Sequence, residues 1–412
     1  MPHDPGRTVA AALVPARWGM FRSADFWKLW SVGLILFTVR WAEMLAMAVF
    51  VYQKTGSAFI VALLTMLRLL PMALFGAFFG AIADRVERRT ALVGVACCLF
   101  ATSTTLAVLA WLDLLAVWHL ALATFVNGTT WATDNPVRRI LLGEVVGPQN
   151  IGRAMSIDIG TNNASRMLGP AIGGAMLAFV GVVGVFTLSM ACYTLAGFTA
   201  LAIRHRTAIR SDQAGSILAN IGEGLGIVRR DRRIVGTLVI TVIFNVFGWP
   251  FTSMVPVIGQ DSLLLDPKGI GLLASMDGLG ALVGALVIAL LAKPAIYPKL
   301  YIGGTALYLV LLPIFALVRD PLVAAFALLL TGIAGSAFMT MQSTLIYVLA
   351  PRELRSRVFG VLSVCIGLGP IGFVHIGLLA ESWGAQAATA AIGIEGLVIL
   401  ALTLPLWRRI AA

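Results

Sequence analysis

Charged residues are scarce in this sequence. Asp, Glu, Lys and Arg together make up 12% of the 412 residues, whereas hydrophobic residues make up 59%. Soluble globular domains carry about 25% charged residues, so the composition excludes an ordinary water-soluble fold. Cysteine is rarer still, and buried thiols inside apolar runs indicate neither a disulfide framework nor a metal site. The four cysteines, all in such runs, are Cys97, Cys98, Cys192 and Cys365.

Motifs of nucleotide-driven and catalytic proteins are missing as well. The sequence has no G-x-x-x-x-G-K-[ST] loop, the element that cradles the phosphates of ATP, and no His, Cys and carboxylate cluster with metal-site spacing. The run GEGLG at 222–226 follows no strand, so it is not a phosphate-binding loop. We therefore expect no enzymatic activity, no metal and no cofactor, with a proton gradient as the source of energy.

Long apolar runs, by contrast, follow one another along the whole chain. Because a transmembrane helix needs about 20 mostly apolar residues, we predict twelve spans. The segment before the first run lacks the features of a cleaved signal peptide, so we expect that run to remain as span one. The predicted spans lie near 27–52, 57–80, 90–112, 117–134, 154–180, 183–203, 234–259, 269–292, 300–318, 321–350, 356–380 and 385–406.

The basic residues lie mostly on one side of these spans. If the N-terminus is placed in the cytoplasm, most of the 30 lysines and arginines fall in segments on the cytoplasmic side. The positive-inside rule then predicts a multi-pass protein of the cytoplasmic (inner) membrane with both termini in the cytoplasm. This topology explains the net charge of +11, so the expected partners are a lipid bilayer and a small-molecule substrate, not nucleic acid.

The two halves of the chain resemble each other. Gly169-Pro170 in span five returns as Gly369-Pro370 in span eleven, six spans later. Internal repeats with interrupted helices at matching positions are typical of secondary transporters. The predicted organisation is a cytoplasmic segment at 1–26, a six-helix bundle at 27–203, a cytoplasmic linker with an amphipathic helix at 204–233, a second six-helix bundle at 234–406 and a cytoplasmic tail at 407–412.

Two motifs carry a resemblance to a known family. The segment GAIADRVERR after span two resembles the signature G-x-x-x-D-R-x-G-R-R of the major facilitator superfamily, although Glu87 stands where the family usually has glycine. The segment SRMLGPAIGG in span five resembles the motif G-x-x-x-G-P-x-x-G-G of the superfamily's antiporters, with Ser165 in place of the first glycine. The matching residues are Gly80, Asp84, Arg85, Arg88 and Arg89 in the first motif and Gly169, Pro170, Gly173 and Gly174 in the second.

The resemblance implies an all-α integral membrane fold, with twelve transmembrane helices in two pseudo-symmetric six-helix bundles. The segments ATDNPVRRILLGEVV and GRAMSIDIGTNNASRMLGP are similar to the subgroup of enterobactin-type siderophore exporters and macrolide and drug exporters. The implied function is proton-coupled export of a small organic molecule by a monomer that alternates its access. An importer or facilitator of a small anionic or polar metabolite, and a membrane sensor or scaffold without transport, stay open as alternatives.

The resemblance also gives roles to the two motifs. It implies that Asp84 belongs to a charge cluster that holds the halves together, either with Arg85 and Arg88 or with arginines near span eleven such as Arg355 or Arg357; the alternative is a solvated acid in a loop. In the second motif, small residues four apart let a neighbouring helix approach closely, and a proline bends the helix. This segment is either a gating surface or a kinked packing helix.

Charges inside the predicted spans are functional candidates, because an intramembrane charge costs about 2.5–3.5 kcal/mol on insertion scales. Arg40 and Glu43 are three residues apart in span one, so they share a helix face and we expect them to pair. The pair is either structural or the coupling site, where Glu43 takes a proton and frees Arg40. Five more such residues are Arg68, Arg166, Asp277, His375 and Glu395.

The resemblance places spans two and eleven at one seam between the halves and spans five and eight at the other. We therefore expect Arg166 to meet Asp277 across one seam and Arg68 to meet His375 across the other, while Glu395 packs within its own half. A proton carrier must change its charge in the working pH range, which a desolvated carboxylate or a histidine does and an arginine does not. The candidates, in order, are Glu43, Asp277 and His375.

The expected cavity is mildly positive, because three intramembrane arginines face two well-placed carboxylates. This balance favours an anionic, zwitterionic or neutral polar substrate over a lipophilic cation. Two tryptophans lie deep enough in their spans to contact a ligand, although packing is the alternative for both. The substrate-cavity candidates are Arg40, Trp41, Arg68, Arg166, Asn245 and Trp249.

Overall fold

A computed structural model describes residues 19–205, Gly226, 231–351 and 354–410, with the side chains of all of these except 76–85 and 356. Within this part of the chain the regular elements are helices and no β-strand occurs. The predicted segment 1–26 is thus described only from residue 19. The amphipathic helix expected in the linker falls almost entirely on 206–230, outside the described residues.

The first half of the chain, residues 19–205, forms five helices. Ser23 caps the first of them, because its Oγ accepts a hydrogen bond from the Phe26 N–H at 3.3 Å. Gly56 ends that helix with φ 65°, a left-handed conformation that glycine adopts without steric cost. The five helices are α1 (Ala24–Thr55), α2 (Ala58–Arg85), α3 (Arg88–Trp111), α4 (Val117–Val146) and α5 (Ile151–Leu201).

The 51-residue helix α5 contains two of the predicted spans. It is interrupted at Gly181, whose φ of 75° and ψ of −173° lie outside the helical region. Such a conformation is open to glycine and strained for other residues. The boundary between the spans predicted at 154–180 and 183–203 is therefore confirmed, although no separate loop joins them.

Span seven, in the second half of the chain (residues 231–410), is a discontinuous helix. α6 (Arg232–Ile243) is followed by a π-helical turn at Phe244–Gly248, a 3-10 turn at Trp249–Ser253 and α7 (Val255–Asp261). Pro250 and Pro256 fall in these short elements, and proline supplies no N–H to a helical ladder. Single π-helical turns within helices occur frequently at functional sites.

The remaining helices follow the predicted spans closely. Span eleven is divided in two, because α-helical hydrogen bonding stops between Ile366 and Gly369. Pro370 therefore lies in the first turn of a new helix, where its missing N–H costs nothing. The helices are α8 (Pro267–Leu291), α9 (Tyr297–Leu317), α10 (Pro321–Leu349), α11 (Arg355–Ile366), α12 (Gly369–Trp383), α13 (Ala385–Leu402) and the short α14 (Leu404–Trp407).

The described helices agree with twelve membrane crossings. Ten segments are long and apolar enough to span a bilayer, and α5 is one of them. Its interruption at Gly181 gives it two crossings. α4 is the twelfth: it is 30 residues long but more polar, with the buried residues Asn127 and Asp134 inside it.

The two halves meet along two seams. α5 packs against α8, and α2 packs against α12, which confirms the expected pairing of spans five with eight and two with eleven. On the first seam the backbones come very close, because a side chain at Gly278 would overlap the backbone of Arg166 and Met167. Glycine is thus required there for packing.

The connection between α2 and α3 shows how Glu87 replaces the usual glycine. α2 runs to Arg85 and α3 begins at Arg88, so the turn is confined to Val86 and Glu87. Glu87 has φ −57° and ψ 122°, a conformation open to every L-residue. The turn therefore does not need glycine. The side chains of Asp84 and Arg85 are not among those that the structure describes, and the charge cluster predicted for Asp84 stays a prediction.

Candidate functional site

A cavity of about 880 Å³ lies between the two halves, near the middle of the predicted spans. Its wall combines α1, α2, α4 and α5 with the discontinuous span seven, α8 and α12. A smaller cavity of about 350 Å³ adjoins it between α1, α2 and α4. Of the predicted cavity residues, Trp41, Arg68, Arg166 and Trp249 line the main cavity, and Arg40 lines the smaller one.

Arg166 and Asp277 join the halves at the wall of this cavity. The Arg166 guanidinium donates to Asp277 Oδ2 from α5 to α8, so the pair predicted across this seam is confirmed. The guanidinium also lies 5.8 Å from the centre of the Trp41 ring. The second oxygen of the carboxylate, Oδ1, is buried and has no hydrogen-bond partner among the described residues.

Arg68 is held between two indole rings. Its guanidinium carbon lies 5.2 Å from the ring centre of Trp41 and 5.1 Å from that of Trp131, and one nitrogen donates to the Met44 sulfur at 2.6 Å. Gly128 on α4 permits this arrangement, because a side chain there would overlap the Arg68 carbonyl. The predicted contact with His375 across the other seam is therefore wrong, since aromatic rings of its own half surround Arg68.

Glu43 and Arg40 do not pair with each other, contrary to the prediction. Arg40 donates to both carboxylate oxygens of Asp134 on α4, at 3.0 and 3.1 Å. Glu43 instead accepts hydrogen bonds from other residues of the first half, on α3, α5 and α4. These are Ser103 at 2.7 Å, Tyr193 at 3.0 Å and Asn127 at 3.4 Å. Both charged groups are almost fully buried within one half, away from the seams.

His375 and Glu395 form a pair on the outside of the second half. His375 Nε2 lies 2.6 Å from Glu395 Oε2, and each side chain is 37% exposed. The prediction that Glu395 packs within its own half is confirmed. His375, the third proton-coupling candidate, lies away from the cavity wall.

The motif around Pro170 serves two contacts of α5. Gly169 and Gly173 face α1, where added side chains would overlap Trp41 and the Ala42 backbone, whereas Gly174 faces α8. Ser165 accepts a hydrogen bond from the Thr38 hydroxyl at 2.9 Å. Close helix approach is therefore the structural reason for the small residues on both faces.

Two arginines of the other motif have partners within the first half. Arg88 pairs with Glu144 of α4, and Arg89 donates to the Leu201 carbonyl at the end of α5.

The matching repeat residue Gly369 begins α12, whereas Gly169 lies inside a continuous helix. The two Gly-Pro pairs are thus equivalent in sequence position but not in helix geometry.

Asn245 packs inside the second half rather than at the cavity wall. It is 3% exposed, and its Nδ2 donates to the Thr241 carbonyl at 2.9 Å. Gln342 donates to the Thr241 hydroxyl at 3.1 Å, so Asn245 ties the π-helical turn to α6, and Gln342 holds α6 against α10. The prediction of Asn245 as a cavity residue is wrong, because its polar group is satisfied by its own helix.

Asp134 and Asp158 are two buried, ion-paired carboxylates that were not among the residues predicted from the sequence. Asp158 on α5 binds Arg138 and, at 3.4 Å, Arg139 of α4, while Asp134 binds Arg40. The acids and their partners on α4 lie in the segments ATDNPVRR and SIDIG, which were quoted for their resemblance. Their polar residues inside apolar runs were the available signal.

The end of the molecule that contains the junction of α7 and α8, here called the Asp261 end, joins the halves by two hydrogen bonds. Tyr52 at the end of α1 donates to Asp261. Ser57 donates to Glu381 at the end of α12, at 3.0 Å. With the Arg166–Asp277 pair at the centre, polar contacts thus connect the halves from the cavity to this end.

Comparison with known proteins identifies relatives of the chain. The profile of a family described as transmembrane secretion effectors matches residues 15–411. Macrolide efflux protein A of Streptococcus pyogenes is 20% identical over 369 residues, which cover 87% of this chain and 90% of that protein. The staphyloferrin A transporter of Staphylococcus aureus is 21% identical over 90% of this chain and 93% of its own. The multidrug efflux pump Tap of Mycolicibacterium fortuitum is 25% identical over 87% and 90%.

Solved structures share the fold at low sequence identity. A POT family transporter in complex with a thioalcohol-conjugated peptide matches with a TM-score of 0.77 at 13% identity, over 94% of this chain and 96% of that one. The nucleoside transporter NupG matches with a TM-score of 0.72 at 11% identity, over 94% and 100%. At such identities the likeness supports the arrangement of helices and nothing further.

Proposed function

Because the chain belongs to the transmembrane secretion effector family of the major facilitator superfamily, we propose that it exports a small organic molecule in exchange for protons. The substrate is a siderophore, a macrolide or another drug-like solute or metabolite, carried by alternating access. The relatives named as efflux proteins support the outward direction. The protein acts in the cytoplasmic membrane, with both termini on the cytoplasmic side.

The observation that carries this proposal is the ion pair between Arg166 and Asp277. It lies at the wall of the central cavity and joins α5 of one half to α8 of the other. A ligand or proton bound in the cavity can therefore change the contact that holds α5 and α8 together at the seam, which must open and close. With the arginine-rich segments in the cytoplasm, the contacts at the Asp261 end close the outer side, and substrate enters from the cytoplasm.

Asp277 is the proposed proton carrier. Its ionised form attracts Arg166 across the seam, and protonation removes that attraction, so the halves separate more readily there. Glu43 is a weaker candidate, because its hydrogen bonds to Ser103 and Tyr193 stay within one half. A proton on Glu43 changes contacts that need not move during alternating access.

The experiment begins with the identity of the substrate. Metabolites released by cells with and without the gene are compared, and the released compound is loaded into liposomes that contain the purified protein. An imposed pH gradient drives efflux of that compound if the proposal is correct. Asp277→Asn lowers gradient-driven efflux about a hundredfold or more, because a positioned proton-transfer group typically contributes about 10²–10⁴-fold.

The matched control is Glu395→Gln, which also neutralises an intramembrane carboxylate of the second half. This variant keeps gradient-driven efflux, because Glu395 lies away from the cavity. Efflux that does not depend on the gradient would indicate a facilitator. Gradient-driven uptake would indicate an importer, and the absence of flux for every released compound would indicate a sensor or scaffold. Each of these three results contradicts the proposal.

A further inference from the structure

Arg68 is a buried cation that has no counter-ion among the residues that the structure describes. It is 6% exposed, its Nε is buried without a hydrogen-bond partner, and no carboxylate lies within ion-pair distance of it among the described residues. The neighbouring arginines have counter-ions: Arg40 is paired with Asp134, and Arg166 with Asp277. Buried charges are normally paired, because desolvation is costly. The guanidinium of Arg68 is therefore suited to pair with an anionic ligand.

The surroundings of Arg68 fix its position without neutralising it. Trp41 and Trp131 flank the guanidinium at 5.2 and 5.1 Å, and cation–π attraction favours this geometry while the positive charge remains. A guanidinium held in one plane is arranged for a two-point contact with a carboxylate. Arg68 also lines both the main and the adjoining cavity, so a ligand in the main cavity reaches it.

The same cavity presents a second unsatisfied group, of opposite character. Asp277 Oδ2 is bound to Arg166, but its Oδ1 is buried without a donor among the described residues. Both arginines lie against the same Trp41 ring, which puts Arg68 and the Arg166–Asp277 pair on neighbouring parts of the wall. Arg68 and Asp277 thus line one binding volume.

We propose that the cavity binds an organic anion whose carboxylate pairs with Arg68 and whose hydroxyl or amide N–H group donates to the Asp277 carboxylate. The inference rests on the proposed export function and names its substrate class. One carboxylate neutralises the single net positive charge of Arg68, Arg166 and Asp277. The indole rings of Trp41, Trp131 and Trp249 contact the apolar body of the molecule. A proton on the Asp277 carboxyl makes it a weaker acceptor, so the proton and the donor compete for this group.

The test is equilibrium binding to the full-length protein in lipid nanodiscs, measured by calorimetry with three matched probes. 4-Hydroxyphenylacetate has both groups, phenylacetate lacks the donor, and 4-hydroxyphenylacetamide lacks the charge. We expect the hydroxy acid to bind about tenfold or more tightly than the amide, and several-fold more tightly than phenylacetate, as for hydrogen bonds to charged groups.

Variants assign the effect to its residues. Arg68→Gln lowers the affinity for the hydroxy acid about tenfold and removes the difference between acid and amide. Arg68→Lys keeps part of the affinity, because it retains the charge and loses the planar contact. Asp277→Asn removes the preference for the hydroxy acid over phenylacetate. Arg232→Gln, which neutralises an exposed arginine of the second half, is the matched control and binds as the unmodified protein does.

Equal binding of the acid and the amide, unchanged binding by Arg68→Gln, or no binding of any probe overturns the inference. Binding needs no gradient, so this outcome is separate from the fate of the export proposal. Selective binding without gradient-driven flux would leave the anion site intact and refute export. Gradient-driven flux without acid-selective binding would support export and refute the anion site.

Discussion

Two buried arginines at the centre of the molecule differ in how their charge is balanced. Arg40 is enclosed by its own half and donates to both oxygens of Asp134, at 3.0 and 3.1 Å. Arg68 is enclosed by indole rings and has no carboxylate within ion-pair distance among the described residues. The first arrangement is self-contained and stabilises the bundle, whereas the second is completed only by a ligand. Stability and binding are thus assigned to different arginines of the same cavity region.

The Arg40–Asp134 pair predicts a strong effect on stability. We expect Asp134→Asn to lower the free energy of unfolding by about 3–5 kcal/mol, because it leaves a buried cation unpaired. The double variant Arg40→Met/Asp134→Leu recovers most of the loss, since it removes both charges. Thermal unfolding of the purified protein measures the change. Arg319→Gln, at an exposed position, is the control and shifts stability by about 0.5 kcal/mol or less; an Asp134→Asn protein as stable as this control would contradict the interpretation.

At the scale of helices, close approach of α5 and α8 depends on residues without a side chain. A methyl group at Gly278 would overlap the backbone between Arg166 and Met167. We expect Gly278→Ala to push the two helices apart, weaken the Arg166–Asp277 contact and favour an open seam. Gly303→Ala on α9 is the control, because nothing lies within 4 Å of the added atom, and alanine is the better helix former by up to about 1 kcal/mol.

Spin-label distances across the Asp261 end measure this effect. Labels at cysteines replacing the exposed residues Leu114 and Leu264, in a protein whose four native cysteines are serine, report the separation of the halves. We expect a larger population of long distances in Gly278→Ala and the parent distribution in Gly303→Ala. Identical distributions in both variants would show that the seam tolerates a side chain.

The sequence was informative about helices and less so about which faces they share. Apolar runs placed the crossings, and family architecture paired Arg166 with Asp277 correctly. The predicted Arg40–Glu43 pair failed for a geometric reason: spacing of three puts two residues on one side of α1, but that side touches several helices. α4 supplies Asp134 to Arg40, and α3 supplies Ser103 to Glu43. Such pairs depend on which residues of other helices lie nearby in the folded protein, and the spacing of residues along one helix does not predict those neighbours.

Over the whole molecule, the orientation in the membrane is a prediction of the basic segments. We expect a cysteine replacing Gln213, in the linker predicted to be cytoplasmic, to react with a membrane-impermeant reagent only after the membrane is opened. A cysteine replacing Leu264, between α7 and α8, is the matched control and reacts in intact cells. Labelling of the cysteine at 213 in intact cells, with protection of the one at 264, would contradict the positive-inside prediction and reverse the proposed direction of access.

The closed arrangement of the halves depends on contacts at the Asp261 end. Tyr52 donates to Asp261 there, and Ser57 donates to Glu381; both bonds must break before this end can open. We expect Tyr52→Phe to raise the population open at this end about tenfold or more, because one hydrogen bond to a charged group is worth about 1.5–3 kcal/mol net of its exchange with water. The Leu114–Leu264 label pair measures the populations. Thr55→Val also removes a hydroxyl near the end of α1, but that hydroxyl donates to Val51 in its own helix, so its distance distribution stays unchanged. If Tyr52→Phe matched this control, the hydrogen bond to Asp261 would not hold the halves together, and packing along the glycine seam would have to do so.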